Sequence, residues 1–314
     1  MKTLNYDRYG DSSVLKICEV AIPIPKKNEV LIKINSVAIN PLDWKIRNGM
    51  LKIITGNHFP KNIGCEFSGI VEKMGEEINE NLIGKKVFGF ADNPMKNGVL
   101  SEYICSTLNC IQEVPSTLSL EEASAVSVCG LAALQSLKTI AQAQSGQSIL
   151  IHGCTGGIGL FSIQLANKMG LNIYGVCSTK GVEISKEYGC HVVIDYNKEN
   201  ILNIKQKFDI ILDLSSKLTY SNAKNMMNPS SIYIDPNATP EVMLKSFFIN
   251  LVSSKKCKVL LTKFNKEFLN ELTTFLKNGL KVKIFKTYSF ENSIIAYKET
   301  EQNGSIGKTI IKLF

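Results

Sequence analysis

The sequence predicts an α/β protein in which a β-rich domain precedes a doubly wound parallel sheet covered by helices. Three observations carry that expectation. Residues 1–115 read as short apolar runs broken by glycine and proline, and from residue 118 the hydrophobic period lengthens to that of a helix, after which strands and helices alternate. At the head of the alternation stands Ser148-Ile-Leu-Ile-His-Gly-Cys-Thr-Gly-Gly-Ile-Gly-Leu-Phe-Ser-Ile-Gln-Leu-Ala, which reads as strand, glycine turn and helix. In open sheets of this kind the ligand lies at the carboxyl ends of the strands, at the switch point, so the turn is expected to face the cleft between the domains.

Taken in order, residues 29–35, 69–74, 86–90 and 101–105 have strand length, and Pro23, Pro25, Gly64, Gly75, Gly84, Pro94 and Gly98 bound them. Residues 121–143 follow at helical spacing. Residues 149–151 are short and apolar enough for a buried strand; Gly153, Gly156, Gly157 and Gly159 break it, and Ile158, Phe161 and Leu165 resume at helical spacing. Glycine leaves no Cβ in the way of an anion, and the free N–H groups of a helix's first turn point at it. The spacing is G-x-x-G-G-x-G, since G-x-G-x-x-G would need its last glycine at Ser162. Strands at 172–176, 192–194, 209–212 and 231–234, with a helix at 182–188, continue the series. A helix at 264–276, a strand near 283–285, a helix at 291–300 and a last strand at 308–313 return the chain to one of the two domains.

The 314 residues, 44% of them hydrophobic, supply a core for one or two domains. No apolar run approaches the ~18 residues that cross a bilayer, and no secretory leader is read at the start, so a cytoplasmic protein without a membrane span is expected. The 9 cysteines lack any C-x-x-C pair, which argues against a disulfide framework and for a reducing compartment. The net charge of +8 comes from lysines spread along the chain. It reads mainly as a solvated surface, with attraction of an anionic cofactor as a second use, and no nucleic-acid partner is expected.

A site that prefers NAD carries an acidic residue at the end of the second strand, for the ribose 2′-hydroxyl. Here that strand ends in Gly175-Val-Cys-Ser-Thr-Lys, with a hydroxyl and a cation but no carboxylate. Ser178 and Lys180 suit a 2′-phosphate, which favours NADPH; the competing reading is a helix cap at Ser178 or Thr179 beside a surface lysine.

The chain as a whole resembles the medium-chain dehydrogenases/reductases. Asn40-Pro-Leu-Asp-Trp-Lys-Ile-Arg-Asn-Gly, Gly64-Cys-Glu-Phe-Ser-Gly-Ile-Val, Gly98-Val-Leu-Ser-Glu-Tyr, Gly130-Leu-Ala-Ala-Leu-Gln, the glycine turn, Cys177-Ser-Thr-Lys-Gly-Val-Glu, Val193-Ile-Asp-Tyr and Gly307-Lys-Thr-Ile-Ile occur in that family's order. Within it the chain is similar to the zinc-independent quinone oxidoreductases, including the chloroplast-envelope and alkenal reductase proteins. The resemblance implies a GroES-like domain at 1–116 with 265–314, around a Rossmann domain at 117–264, and a homodimer. It implies that Gly156, Gly157 and Ile158 contact the pyrophosphate, that Ser178, Lys180 and Tyr196 surround the 2′-phosphate, and that Ser215 lies near the ribose or adenine. For Tyr196 the alternative is a half-buried tyrosine at a strand end.

In the zinc-dependent branch, cysteine and histidine stand at the positions of Asn40 and Cys65. Asn40 is a poor zinc ligand; Glu66 persists, Cys65 and Cys129 supply sulfur, and residues 90–98 lack the clustered cysteines of that branch, so no metal is expected. Hydride transfer then relies on positioning, with a donor for the oxyanion that develops on a carbonyl. Lys45, where many relatives carry tyrosine, is the first candidate and Asn40 the second; a turn at Asn40-Pro41 and a solvated Lys45 are the structural alternatives.

Tyr220-Ser-Asn-Ala-Lys matches the Y-x-x-x-K of short-chain dehydrogenases but lies too close to the glycine turn for that family. His58, His152 and His191 have no ligand spacing, and His152 reads as a satisfied core histidine. Trp44, Lys45, residues 247–251 and Lys263 are the candidates for a substrate pocket. The expected activity is NADPH-dependent reduction of a small quinone or enone, with quinones favoured; a nucleotide-binding regulatory or crystallin-like protein and a zinc alcohol dehydrogenase are the rivals.

Overall fold

Strand Glu29–Ala38 is buried along almost its whole length, and three other strands pair with it. Its neighbours order a sheet that runs Ile284–Ser289, Lys308–Lys312, Glu29–Ala38, Glu66–Met74, Lys86–Phe90 and Ile111–Glu113, with Tyr103–Thr107 also on Glu29–Ala38. A small sheet of Lys16–Glu19, Lys2–Tyr6 and Lys61–Asn62 joins it, and Leu4, Ile32, Ile34, Phe67 and Tyr297 share one core. The C-terminal strand therefore completes a sheet begun near the N-terminus, because Ile310 and Ile311 bury fully against it. The computed structural model describes residues 1–236 and 240–314. These divide into two compact units, Met1–Val128 with Phe264–Phe314, and Cys129–Lys263.

The second unit is a parallel sheet of six strands in the order Val192–Asp195, Asn172–Cys177, Ser148–His152, Phe208–Asp213, Met227–Asp235 and Lys256–Val259. In chain order this is 3-2-1-4-5-6, so the direction of winding switches between Ser148–His152 and Phe208–Asp213. Leu150, Val176, Phe208 and Ile211 make its core. GroES-like and Rossmann layers are thus both present, as the sequence leads one to expect.

Three local expectations need correction. The stretch at 121–143 is not one helix: Leu120–Ala123, Ser127–Gln135 and a π-turn at Ser136–Ile140 replace it. Ala125, Val126, Leu131, Ala133, Leu134 and Leu137 are all buried, so hydrophobicity on every side hides the breaks. Asn40-Pro41 opens a helix, Pro41–Arg47, with Asn40 at the N-cap, Pro41 in the first turn and Asp43 closing a capping box. Helix Pro240–Val252 and strand Lys256–Val259 are additional to the expected series.

Candidate functional site

In the second unit, the glycine turn leaves strand Ser148–His152 at the switch point and enters helix Gly157–Lys168. Gly153 sits at φ +85, a left-handed conformation that favours glycine, and Gly153 and Cys154 both donate to the Val176 carbonyl, at 3.0 and 3.1 Å. Gly156 is the N-cap, and no side chain caps the helix there. A Cβ at Gly156 would find nothing nearer than 3.7 Å. The turn is therefore pinned from behind and open in front, with first-turn N–H groups of Gly157 and Ile158 on the side an anion would approach.

Ser178, Lys180 and Tyr196 gather beyond the ends of the two adjacent strands, because Tyr196 N donates to Cys177 O at 3.0 Å. Ser178 stands at the N-cap of a short 3-10 turn, but its hydroxyl does not cap it. Thr179 instead faces Asn197, whose Nδ2 lies 3.3 Å from its hydroxyl. Lys180 is exposed. Tyr196 directly follows strand Val192–Asp195 and is 52% exposed, and Lys217 Nζ lies 5.9 Å from its ring centre. Ser215 is engaged: its hydroxyl donates to Asp213 Oδ1 at 2.8 Å and lies 2.8 Å from His152 Nδ1. Burial pushes the Asp213 carboxyl up, but hydrogen bonds from His152 and Ser215 outweigh it and hold the group below its ordinary range. Ser215 and Asp213 share one imidazole nitrogen, so the three do not form a relay of nucleophile, base and orienting acid. His152 is a satisfied core histidine.

In the first unit, register brings residues far apart in sequence together. Ile310 faces Ala38 and Ile39 N donates to Thr309 O at 3.0 Å, which sets Lys308 beside Asn40. The Lys308 ammonium, 4% exposed, donates to Ile39 O at 3.0 Å, Asn40 Oδ1 at 2.5 Å and Glu66 Oε1 at 2.9 Å. Asn40 Nδ2 donates to Ala38 O and to Glu66 Oε1, and Glu66 Oε2 accepts from Val128 N at 2.8 Å. One turn along the helix, Asp43 is buried, and Cys65 and Tyr297 face its carboxyl; desolvation raises its pKa from 3.8 to about 6. Lys45 is half-buried on the same helix, and Trp44 packs on the core. The Y-x-x-x-K match is structural, since Tyr220 OH donates to Lys255 O at 2.7 Å and packs on the second unit's core.

Residues 26–116 match the family described as alcohol dehydrogenase GroES-like domain, and residues 157–231 the one described as zinc-binding dehydrogenase. Across 99% of its length the chain is 30% identical to the 2-methylene-furan-3-one reductase of Solanum lycopersicum, of which it covers 79%. It is 29% identical to a chloroplastic quinone-oxidoreductase of Triphysaria versicolor, over 99% of this chain and 98% of that one. The chain belongs to the quinone oxidoreductase branch of the medium-chain dehydrogenases/reductases. A quinone oxidoreductase from Coxiella burnetii has the same fold, with a TM-score of 0.91 at 28% identity over 100% of this chain and 99% of that chain.

Zinc, which the second family description names, does not suit the residues of this branch member. Asn40 stands where the zinc-dependent branch has cysteine, and its carbonyl oxygen already accepts from Lys308. Cys65 is buried with its thiol facing the Asp43 carboxyl, and burial pushes that thiol well above the usual range. Glu66 is committed to Lys308, Asn40 and Val128. Among the described residues no group of three or more His, Cys, Asp or Glu is arranged to hold a metal. A dinucleotide does suit the open glycine turn: Gly156, Gly157 and Ile158 would hold its pyrophosphate.

The sequence does not single out Lys308 as a member of this buried network. The signal was present, since Gly307-Lys-Thr-Ile-Ile is among the family-like motifs, but nothing local says that a lysine beside isoleucines on a strand turns inward.

Proposed function

We propose that this chain is an NADPH-dependent reductase of quinones and α,β-unsaturated carbonyls that works without zinc. The observation that carries the reading is the open glycine turn, whose uncapped helix N-terminus lies in the same strand-end layer as Ser178 and Lys180. Gly156, Gly157 and Ile158 bind the pyrophosphate through backbone N–H groups, while Ser178, Lys180 and Tyr196 bind the 2′-phosphate and Ser215 borders the ribose or adenine. When bound, NADPH supplies the hydride, to a quinone ring or to an enone β-carbon. Lys45 is the first candidate to donate to the oxyanion that follows, because an ammonium strengthens its bond as charge develops. Asn40 is the second, as a partner of the carbonyl or of the cofactor ribose; both N–H groups of its amide are engaged by Ala38 O and Glu66, so one of these bonds has to be exchanged before it donates to a substrate. Solvent supplies the proton that completes the reduction, to the α-carbon of an enone or to the oxygen of a quinone.

The test is a panel of quinones and enones offered with NADPH and with NADH at equal concentration. Reduction with NADPH preferred is the expected result. Preference for NADH would overturn the roles of Ser178 and Lys180, and no turnover with any acceptor would overturn the reductase reading.

A further inference from the structure

We propose that Lys308 is a positioning residue of the reaction: its buried ammonium is a built-in cation that fixes the orientation of the Asn40 amide. Asn40, Glu66 and Lys308 are 1%, 0% and 4% exposed, so water does not compete for their polar atoms. A carboxamide fits a socket in two ways that differ by exchange of its oxygen and nitrogen. Here the two sides of the socket carry opposite charge. Lys308 Nζ lies 2.5 Å from Asn40 Oδ1, and Glu66 Oε1 lies 3.0 Å from Asn40 Nδ2. Turning the amide over would set its NH₂ against an ammonium and its carbonyl against a carboxylate, two repulsive contacts in a dry site. The ammonium has three protons and three acceptors for them in Ile39 O, Asn40 Oδ1 and Glu66 Oε1. Lys308 therefore acts through Asn40 and does not itself reach a substrate.

The carboxylate is held in its turn. Glu66 Oε2 accepts from Val128 N, in the first turn of helix Ser127–Gln135, where a negative charge is favoured. Amide, carboxylate and ammonium make one closed set: the helix start orients Glu66, Glu66 and Lys308 orient Asn40, and the register of strand Lys308–Lys312 on Glu29–Ala38 sets Lys308 in place. This rests on the reductase reading, and on the arm of it in which Asn40 is a partner of the reacting carbonyl.

The test compares wild type with Lys308→Arg, Lys308→Met and the double variant Lys308→Met/Glu66→Gln. Two readouts are used: NADPH oxidation with a benzoquinone, resolved into kcat and KM, and hydrogen exchange of the Asn40 side-chain amide by NMR. The double variant removes both buried charges, so it is not left with an unpaired one and folds where Lys308→Met fails. Loss of positioning is expected to lower kcat about 10²-fold in Lys308→Met and in the double variant, with KM for NADPH within about twofold of wild type. Lys308→Arg keeps charge and donors and recovers most of the rate. A folded double variant with wild-type kcat would overturn the proposal, since Lys308 would then only neutralise Glu66. If wild type reduces no quinone or enone, the reductase reading falls and the amide decides alone. Exchange at Asn40 about tenfold faster in the double variant supports the pinned orientation, and equal exchange overturns it.

Discussion

Asp43 is buried, and desolvation pushes its carboxyl up from 3.8 to about 6, more than the hydrogen bonds from Cys65, Asn40 N and Tyr297 pull it down. The sign follows from proton uptake. The folded protein holds this proton more tightly than the unfolded chain, so the group favours folding below about pH 4, and that contribution is lost as pH rises through about 6. A shift of this size corresponds to about 3 kcal/mol. Asp43→Asn retains an oxygen for Asn40 N and Tyr297, so its denaturant stability should fall less than that of wild type between pH 4 and 7, by up to about 3 kcal/mol. Parallel pH curves for the two proteins would refute this. Lys180 is exposed and tests the cofactor instead. Lys180→Ala should raise KM for NADPH about tenfold, the size of one charge-assisted hydrogen bond, and leave KM for NADH within about twofold. Ser178 and Lys180 can be nominated from sequence because they follow a strand end directly. The Lys308 network is not, because its partners Asn40 and Glu66 lie 268 and 242 positions away and only strand register joins them.

The glycine turn separates two uses of glycine that a motif cannot tell apart. A Cβ at Gly156 would make only ordinary contact, 3.7 Å from Gly153 O, whereas one at Gly159 would lie 2.4 Å from Cys154 O, inside the backbone of the turn itself. Gly156→Ala should melt within about 2 °C of wild type, since its φ of −71 suits alanine, yet raise KM for NADPH at least about tenfold by blocking close approach of the pyrophosphate. Gly159→Ala must move the helix off the strand, which costs about 1–3 kcal/mol and lowers the melting temperature by several degrees. Matching melting curves for the two variants would show that Gly159 is not a packing residue. At this scale the alternation of strands and helices in residues 148–235 is readable because buried parallel strands are short apolar runs and their helices carry a clear face. Helix Pro240–Val252 is harder to read: Phe247, Phe248, Leu251 and Val252 are exposed, so its apolar residues do not mark an inward side. Helix Pro41–Arg47 carries start signals, but Asn-Pro is equally a turn signal, and only Asp43 three residues on decides between them.

Over the whole molecule, a sheet begun at Glu29–Ala38 is finished by Lys308–Lys312, so the order of residues along the chain is not the order of units in space. The sequence hints at this return through its final apolar strand but cannot name the partner edge, which depends on which strand is left unpaired. Charge is the property read most directly at this scale. The +8 excess is spread along the chain with no basic block longer than two residues, which suits a field acting at distance. On the proposed function, NADPH carries several negative charges and a quinone none, so the field would act on one substrate and not on the other. Raising salt from about 20 to about 300 mM shortens the Debye length from about 20 Å to about 6 Å and removes most of that attraction. KM for NADPH should then rise severalfold, while KM for an uncharged quinone stays within about twofold. Lys180→Ala should keep much of this salt dependence, because the dispersed lysines remain, and lose only the local contact. If salt left KM for NADPH unchanged in wild type, the positive charge would be a solvated surface and nothing more. If Lys180→Ala abolished the salt effect, the attraction would belong to the 2′-phosphate contact and not to the molecule's field.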